Sequence, residues 1–319
     1  MKCIPVWNRC NNKCLMCSNP PDYAELGRYG LLNLKARLAR IDTKETHLYL
    51  TGGEPSLHPD FLPLLAHIRE RLPRTRILLD TNGRMFAYGA FAAKCAAAGN
   101  IEFQVSLCGH TPAAHDGITR TPGSFRQALA GIRNLLRHGG GGAVEIRFVL
   151  SALSVANIER VYDFAAAHLK GIKALVLIFM EMEGHAGVNL KTAGLTYARA
   201  GAPVLEFFER LEKKRGAPRK PPFELKLYHF PLCTLPPRLW KYVWRTLPKK
   251  EVAFPPGCRG CRVKEYCLGI HKDYLKHFGP AEFRPVPVRP AIKASDNFCH
   301  PILEVVKSGK KQPGTGRCR

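Results

Sequence analysis

The chain has 319 residues, 45% of them hydrophobic, which is enough to bury a sizeable core and to form one large α/β domain with a smaller module. No apolar run reaches the ~18–20 residues of a transmembrane helix, and the opening MKCIPVWNRC meets a cysteine motif too early for a secretory signal, so a cytoplasmic protein without membrane anchorage is expected. Lysine and arginine exceed aspartate and glutamate by 24, a field that favours an acidic partner, either nucleic acid or an acidic peptide.

Short β-branched runs alternate with helical patterns along the first two thirds of the chain. Strands are predicted at Lys2–Trp7, His47–Leu50, Arg76–Asp80, Ile101–Leu107, Val144–Leu150 and Ala174–Met180. Helices are predicted at Leu31–Ile41, Phe61–Arg71, Tyr88–Ala98, Phe125–His138, Asn157–His168 and Pro203–Lys214. Six βα units in succession require crossover connections, hence a parallel sheet covered by helices. Six are too few to close an eight-stranded barrel, so the fold class expected is α/β, a partial (βα)6 barrel.

The composition changes after residue 214. KKRGAPRKPPF reads as a basic, proline-containing linker. Residues 215–300 then form a loop-rich module with aromatics at Tyr228, Phe230, Trp240, Tyr242 and Trp244. Such a segment needs a metal to staple it. Residues 301–319 form a basic tail whose last part, KSGKKQPGTGRCR, reads as disordered.

Twelve cysteines in a chain with no secretory signal suggest metal ligation rather than disulfides. Cys10, Cys14 and Cys17 follow the first strand at C-x3-C-x2-C. Cys233, Cys258, Cys261 and Cys267 form a second group. Cys3, Cys95, Cys108, Cys299 and Cys318 are scattered, and their ordinary reading is a small buried hydrophobe or an exposed thiol. By spacing alone the first triad could be a zinc knuckle completed by Cys3 or His47, three buried thiols, or the three-thiolate half of a [4Fe–4S] site with one iron left open.

Ligands of parallel α/β sheets collect at the carboxyl ends of the strands. The triad follows strand one, TGGEP follows strand two, DTNG closes strand three and Ser106 ends strand four, so all four stretches fall on one face. Together, C-x3-C-x2-C and TGGEP resemble the radical S-adenosylmethionine (SAM) superfamily. That resemblance implies that Cys10, Cys14 and Cys17 ligate a [4Fe–4S] cluster whose open iron binds SAM exchangeably, and that SAM is cleaved to a 5′-deoxyadenosyl radical. It implies that Gly52, Gly53 and Glu54 receive the methionine ammonium, which suits a carboxylate beside close-approaching backbone. Ser106 and Asn82 fall where family members hold the ribose or the methionine carboxylate. VSLCGHTPAAHDGITRTPGSF, residues 105–125, is similar to a further stretch of the family, with Cys108 where an aspartate is common.

The second group, C-x24-C-x2-C-x5-C, would fully ligate an auxiliary [4Fe–4S] cluster or a structural zinc. C-x2-C-x5-C behind a radical domain resembles the SPASM and twitch modules. His271 stands where the full SPASM pattern has another cysteine, which argues for a single auxiliary cluster of the twitch type. Cys233 is the simplest fourth ligand, with Cys299 in DNFCH as competitor. FPLCTLPPRLWKYV together with this cysteine pattern is most similar to C-type maturases of His-Xaa-Ser peptide systems.

The resemblance implies an enzyme that modifies a ribosomally made peptide or protein, with an acidic precursor peptide as substrate. An electron donor such as flavodoxin or ferredoxin is implied as well. The first strand begins almost at the first residue, so a peptide-recognition or second maturase protein is expected as a separate partner. A cofactor precursor or RNA is the alternative substrate, the latter equally suited to the charge. Glu181 and Glu183 after strand six face the same mouth and are either substrate contacts or a solvated loop. His110 and His115 read as polar loop residues, Tyr266 and Tyr274 as packing aromatics, and HGGGG at 138–142 as a flexible turn.

Overall fold

The computed structural model describes residues 2–25, 27, 29–139, 142–213 and 221–306. The basic tail from Lys307, with Cys318, most of the expected linker, and two glycines of HGGGG lie outside the described residues. The chain divides into two compact units, Met1–Leu227 and Tyr228–Arg319.

In the first unit, β1 (Lys2–Trp7), β2 (His47–Gly52), β3 (Arg76–Thr81), β4 (Ile101–Ser106), β5 (Val144–Leu150) and β6 (Ala174–Phe179) lie in chain order in one sheet. Every neighbouring pair among them is parallel. The helices between and after them are α1 (Leu31–Ala39), α2 (Phe61–Arg71), α3 (Gly89–Ala97), α4 (Pro112–Thr119), α5 (Ser124–Gly139), α6 (Ile158–His168), α7 (Gly184–Val188), α8 (Leu190–Ala193) and α9 (Tyr197–Lys213). This is the α/β partial barrel that the βα alternation implies.

Alternation along the strands sends Leu48, Leu50, Ile77, Leu79, Phe103, Val105, Ile146 and Phe148 into the core. Buried residues of the helices include Leu34 and Leu38 of α1, Leu64, Leu65 and Ile68 of α2, and Ile132 and Leu135 of α5. Charged side chains that the strands bury are paired. Glu145 meets Lys226 at 2.5 Å and Arg147 at 3.1 Å. Glu102 meets Lys173 at 2.5 Å and Arg76 at 2.8 Å, and Tyr49 donates to Asp80 Oδ2 at 2.5 Å. Pairing is what makes such burial affordable.

Several elements differ from expectation, α7 and α8 being additions as well. A seventh strand, β7 (Glu224–Tyr228), follows β6 in the sheet; its Leu225 and Leu227 are buried, and its buried Lys226 is neutralised by Glu145 of β5. Helix α9 begins at Tyr197, not at Pro203, and carries the proline within it. Tyr197, Ala200, Val204, Phe207, Phe208 and Leu211 make one buried stripe, and Tyr197 stacks on Phe179 with centroids 3.8 Å apart; tertiary burial outweighs the hydrogen bond that a proline removes. Helix α4 is an added element, capped by Thr111, whose hydroxyl accepts the N–H of Ala114 at 3.3 Å.

The second unit has little regular structure: β8 (Val243–Trp244), β9 (Val252–Ala253) paired antiparallel with β10 (Ile270–His271), α10 (Lys272–Phe278), and the hairpin of β11 (Ala291–Ala294) with β12 (Ile302–Val306). Trp240 is buried, and its indole N–H donates to the carbonyls of Leu232 and Leu235 at 2.9 and 3.0 Å, which fixes the turn carrying Cys233. Tyr274 is buried against Phe278 and Phe283, and Tyr266 lies under the Arg289 guanidinium. His271 is buried, and its Nδ1 accepts the N–H of Asp273 at 3.3 Å at the start of α10.

Among the described residues, no helix is long and apolar enough to cross a membrane.

Candidate active site

The three cysteines of the first group lie on a loop leaving β1 that neighbouring segments hold from several sides. Lys13 and Leu15 donate their N–H groups to the carbonyls of Thr119 and Ile118 at 2.9 and 3.0 Å. Ala186 N–H donates to the carbonyl of Cys17 at 2.8 Å. Arg84, after β3, donates to the carbonyl of Asn11 and to Asn12 Oδ1, while its Nε meets Gln127 Oε1 at 2.7 Å. Nothing in the local sequence of Arg84 marks it as a clamp, since its partners are more than 40 residues away in either direction.

The thiols share one environment. Burial pushes Cys10 up to about 11, with the charges of Glu54 and Cys17 adding to it. Burial pushes Cys14 well above its ordinary value, and Cys108, Cys17 and Cys10 push it further. Cys17 is raised by burial and by the nearby Glu181. Three cysteines placed this close repel one another as thiolates, and a bound metal centre reverses that by stabilising the deprotonated ligands. The donor set therefore fits an iron–sulfur cluster held at three corners. Cys3 and His47 sit at the amino ends of β1 and β2, whereas the triad leaves the carboxyl end of β1, so neither completes a zinc knuckle.

Gly52 and Gly53 stand against this loop. A Cβ on Gly52, whose φ is +138°, would lie 2.3 Å from the carbonyl oxygen of Trp7; one on Gly53 would lie 2.4 Å from that of Arg9. The N–H of Gly53 donates to the Trp7 carbonyl at 2.7 Å and that of Glu54 to the Arg9 carbonyl at 2.8 Å. One close approach that these glycines permit is to the chain entering the cysteine loop.

Glu54 is buried, and burial raises its pKa against the donors that surround it. Its Oε1 accepts from the N–H of Ser56 at 3.1 Å, the Ser56 hydroxyl, and the Thr81 hydroxyl at 2.7 Å; its Oε2 accepts the N–H of Asn82 at 2.6 Å. The carboxylate is fixed in place and can accept further donors only on Oε2. The Asn82 amide donates to Asn11 Oδ1 at 2.7 Å and, more weakly, to Cys10 Sγ at 3.7 Å, and its Oδ1 accepts the N–H of Arg84. Asn82 thereby joins the turn after β3 to the cysteine loop. Ser106 ends β4 opposite Arg147 of β5.

The remainder of the 105–125 stretch is scaffold. Cys108 is buried, its thiol pushed up to about 12 by desolvation, and its N–H donates to His115 Nδ1 at 3.1 Å. His115 is buried with its pKa lowered to about 4. Asp116 accepts from Gly123 N–H, the Ser124 hydroxyl and Phe125 N–H at 2.7–2.8 Å, which caps α5. His110 has its pKa lowered, mainly by burial. Glu183 stands at the N-cap of α7.

In the second unit Cys233, Cys258, Cys261 and Cys267 line one pocket together with Leu232, Val263 and Ile270. Burial pushes Cys233 up to about 12, followed by the fields of Cys267, Cys258 and Cys261. Cys267 is raised by burial, opposed by the N–H groups of Gly269 and Leu232. Four thiols converging on an apolar pocket fit a fully ligated metal centre. Cys299 is exposed and does not line this pocket.

The profile of the radical SAM superfamily matches residues 4–165. The chain is 26% identical over 160 residues to mycofactocin maturase MftC of Mycobacterium tuberculosis strain H37Rv, covering 50% of this chain and 40% of that protein. It is 29% identical over 314 residues to the probable GTP 3′,8-cyclase of Metallosphaera sedula, covering 96% of this chain and 89% of that one. Among solved structures it is similar in fold to Streptococcus suis SuiB bound to precursor peptide SuiA, with a TM-score of 0.57 at 14% identity over 70% of this chain and 48% of SuiB. The chain thus spans less than half the length of MftC and of SuiB.

Proposed function

The chain belongs to the radical SAM superfamily, whose profile it matches over half its length, and from that premise we propose that it modifies a ribosomally made peptide. As a radical SAM enzyme it uses a [4Fe–4S] cluster and SAM, and SPASM-type relatives carry auxiliary clusters besides. In this reading Cys10, Cys14 and Cys17 hold the first cluster. The single observation that carries the assignment is the convergence of those three thiols with Glu54, whose field acts on Cys10. When bound, the cluster supplies the electron that cleaves SAM; the residues of this chain bind and orient it. Gly52 and Gly53 lock the second strand onto the cysteine loop, Glu54 Oε2 offers a lone pair to the methionine ammonium, and Ser106 offers its hydroxyl from the end of β4.

Cys233, Cys258, Cys261 and Cys267 hold the auxiliary [4Fe–4S] cluster. Their common pocket supports Cys233 over Cys299 as fourth ligand. With four thiolates that cluster has no open iron, so it anchors the module or passes an electron and does not bind substrate directly. The peptide substrate is supported by the maturase named among the relatives, by SuiB in complex with its precursor, and by the net charge of +24, which suits an acidic leader. A flavodoxin or ferredoxin is the fitting electron donor.

A second reading has its own support: the similarity to a probable GTP cyclase runs over 96% of this chain, which favours a small nucleotide substrate. The experiment is anaerobic reconstitution followed by reaction with reductant, SAM and either a candidate precursor peptide or GTP. About eight irons per chain, 5′-deoxyadenosine formation and a mass shift in the peptide are expected. Turnover of GTP with no change in the peptide overturns the first reading in favour of the second. Zinc without sulfide overturns both. Cys14→Ala should abolish 5′-deoxyadenosine formation.

A further inference from the structure

Arg245 follows β8 in the second unit and ties two segments of that unit together. Its Nη1 donates to the carbonyl of Glu265 at 2.8 Å, two residues before Cys267. Its Nε donates to the carbonyl of Phe298 at 2.8 Å, and Nη2 donates to the same oxygen. The guanidinium carbon lies 4.3 Å from the centroid of the Phe298 ring, and the Arg245 main-chain N–H donates to the carbonyl of Cys299 at 2.7 Å.

The 296–300 turn is itself pinned. Trp244 stacks on His300 with centroids 4.5 Å apart and planes 6° from parallel, and His300 Nε2 lies 2.7 Å from the carbonyl of Lys241. Asn297 Oδ1 accepts the N–H of Cys299 at 2.9 Å. A long side chain ordinarily loses rotamer entropy when it is fixed and points its charge to water. Here it is held at its head, partly buried, and near enough to Cys267 and Cys299 for both thiols to act on its charge. Other charges lie nearby: Glu265 pairs with Arg289 at 2.7 Å, Lys249 lies over the Phe298 ring, and Lys264 and Arg284 line the pocket of the four cysteines, so Arg245 adds to a field that these cations share.

Resting on the reading that Cys233, Cys258, Cys261 and Cys267 hold an iron–sulfur cluster, we propose that Arg245 is a positioning residue that sets the reduction potential of this cluster. Reduction adds one electron, taken from an external one-electron donor, and neither makes nor breaks a bond. The reduced cluster is more negative by one charge, so a fixed cation beside Cys267 stabilises it and raises the potential. The fork of hydrogen bonds to Glu265 and Phe298 keeps that charge beside the ligand loop instead of in solvent.

The test is a dithionite titration of the full reconstituted chain under argon, followed by electron paramagnetic resonance. The signal that SAM leaves unchanged reports the auxiliary cluster. Arg245→Met should retain iron and shift the midpoint to more negative values. At the native midpoint its reduced-to-oxidised ratio should fall about tenfold, a shift of about 59 mV for one electron. Arg245→Lys keeps the charge and should stay near the native midpoint. If Met at this position prevents cluster assembly, Arg245→Gln retains a donor for the two carbonyls without the charge and gives the same comparison. A native midpoint in a cluster-replete Met or Gln variant overturns the proposal. So does a Lys variant displaced as far as the Met variant, since that would make Arg245 a strap only. If the unmodified chain holds only the SAM-responsive cluster, the iron count shows that first, and the assignment of the second cysteine group falls together with the role of Arg245.

Discussion

Glu54 Oε2 accepts the main-chain N–H of Asn82 at 2.6 Å, so the carboxylate at the end of the second strand and the turn at the end of the third are one hydrogen-bonded unit. Asn82 continues the unit to Asn11 and Cys10. Glu54→Ala therefore does more than remove a ligand contact. It leaves the buried donors of Ser56, Thr81 and Asn82 without their acceptor, at about 1–3 kcal/mol for each group left unsatisfied. Urea unfolding of the apo chain should show a loss of several kcal/mol, and SAM affinity measured by calorimetry should fall at least about tenfold. Unchanged SAM affinity in a folded, cluster-replete variant would refute the ammonium role.

Arg84 holds the cysteine loop from outside, through the Asn11 carbonyl and the Asn12 side chain. Arg84→Ala should leave the barrel folded by circular dichroism, because the residue belongs to no core cluster, yet lower the iron bound at the first site. Arg84→Lys, which cannot fork, should recover only part of it. Full iron occupancy in the alanine variant would show that the loop needs no clamp.

Cys233 and Cys299 can be separated directly. Cys233 lines the pocket of the second group and Cys299 does not. Cys233→Ala should lower the iron bound at the second site below about four per chain, while Cys299→Ala should leave it unchanged. The reverse result would assign the ligand to the 296–300 turn.

Gly53→Ala places a methyl group 2.4 Å from the Arg9 carbonyl oxygen, and that contact is with backbone, which cannot rotate away. The strand end must part from the cysteine loop, breaking the Gly53–Trp7 and Glu54–Arg9 hydrogen bonds. SAM-dependent 5′-deoxyadenosine formation should fall by at least about tenfold, with far-ultraviolet circular dichroism retained. Wild-type activity would mean that the loop can shift freely.

His115 supplies a pH dependence. Its pKa is about 4 in the folded chain, chiefly because it is buried, against about 6.5 when unfolded. Between those values the unfolded chain binds the extra proton, so stability is fully present above about pH 6.5 and declines as the pH falls towards 4. The loss on going from pH 7 to pH 5 is on the order of 1–2 kcal/mol. His115→Gln should flatten the dependence in denaturant titrations of the apo chain; an unchanged slope would place its cause in another group.

The amino-acid sequence by itself determined the class of fold and the chemistry. Period-two and helical patterns mark six βα units because each strand and helix must bury one face locally, and three closely spaced cysteines followed by a glycine-glycine-glutamate turn are contiguous signals. The whole of α2 and β5 can be read in this way, and so can the clustering of four cysteines in the last third. Tertiary structure alone decided what depends on distant partners. β7 buries Leu225 and Leu227 with its Lys226 neutralised by Glu145, and α9 passes through Pro203 because its apolar stripe is covered. The two glycines press on Trp7 and Arg9, Arg84 reaches back some 70 residues to the cysteine loop, and Arg245 straps Glu265 to Phe298. Hydrogen bonds between residues far apart in the chain leave no periodicity for a sequence to display, so the clamps around both cysteine groups became visible only once the chain was folded.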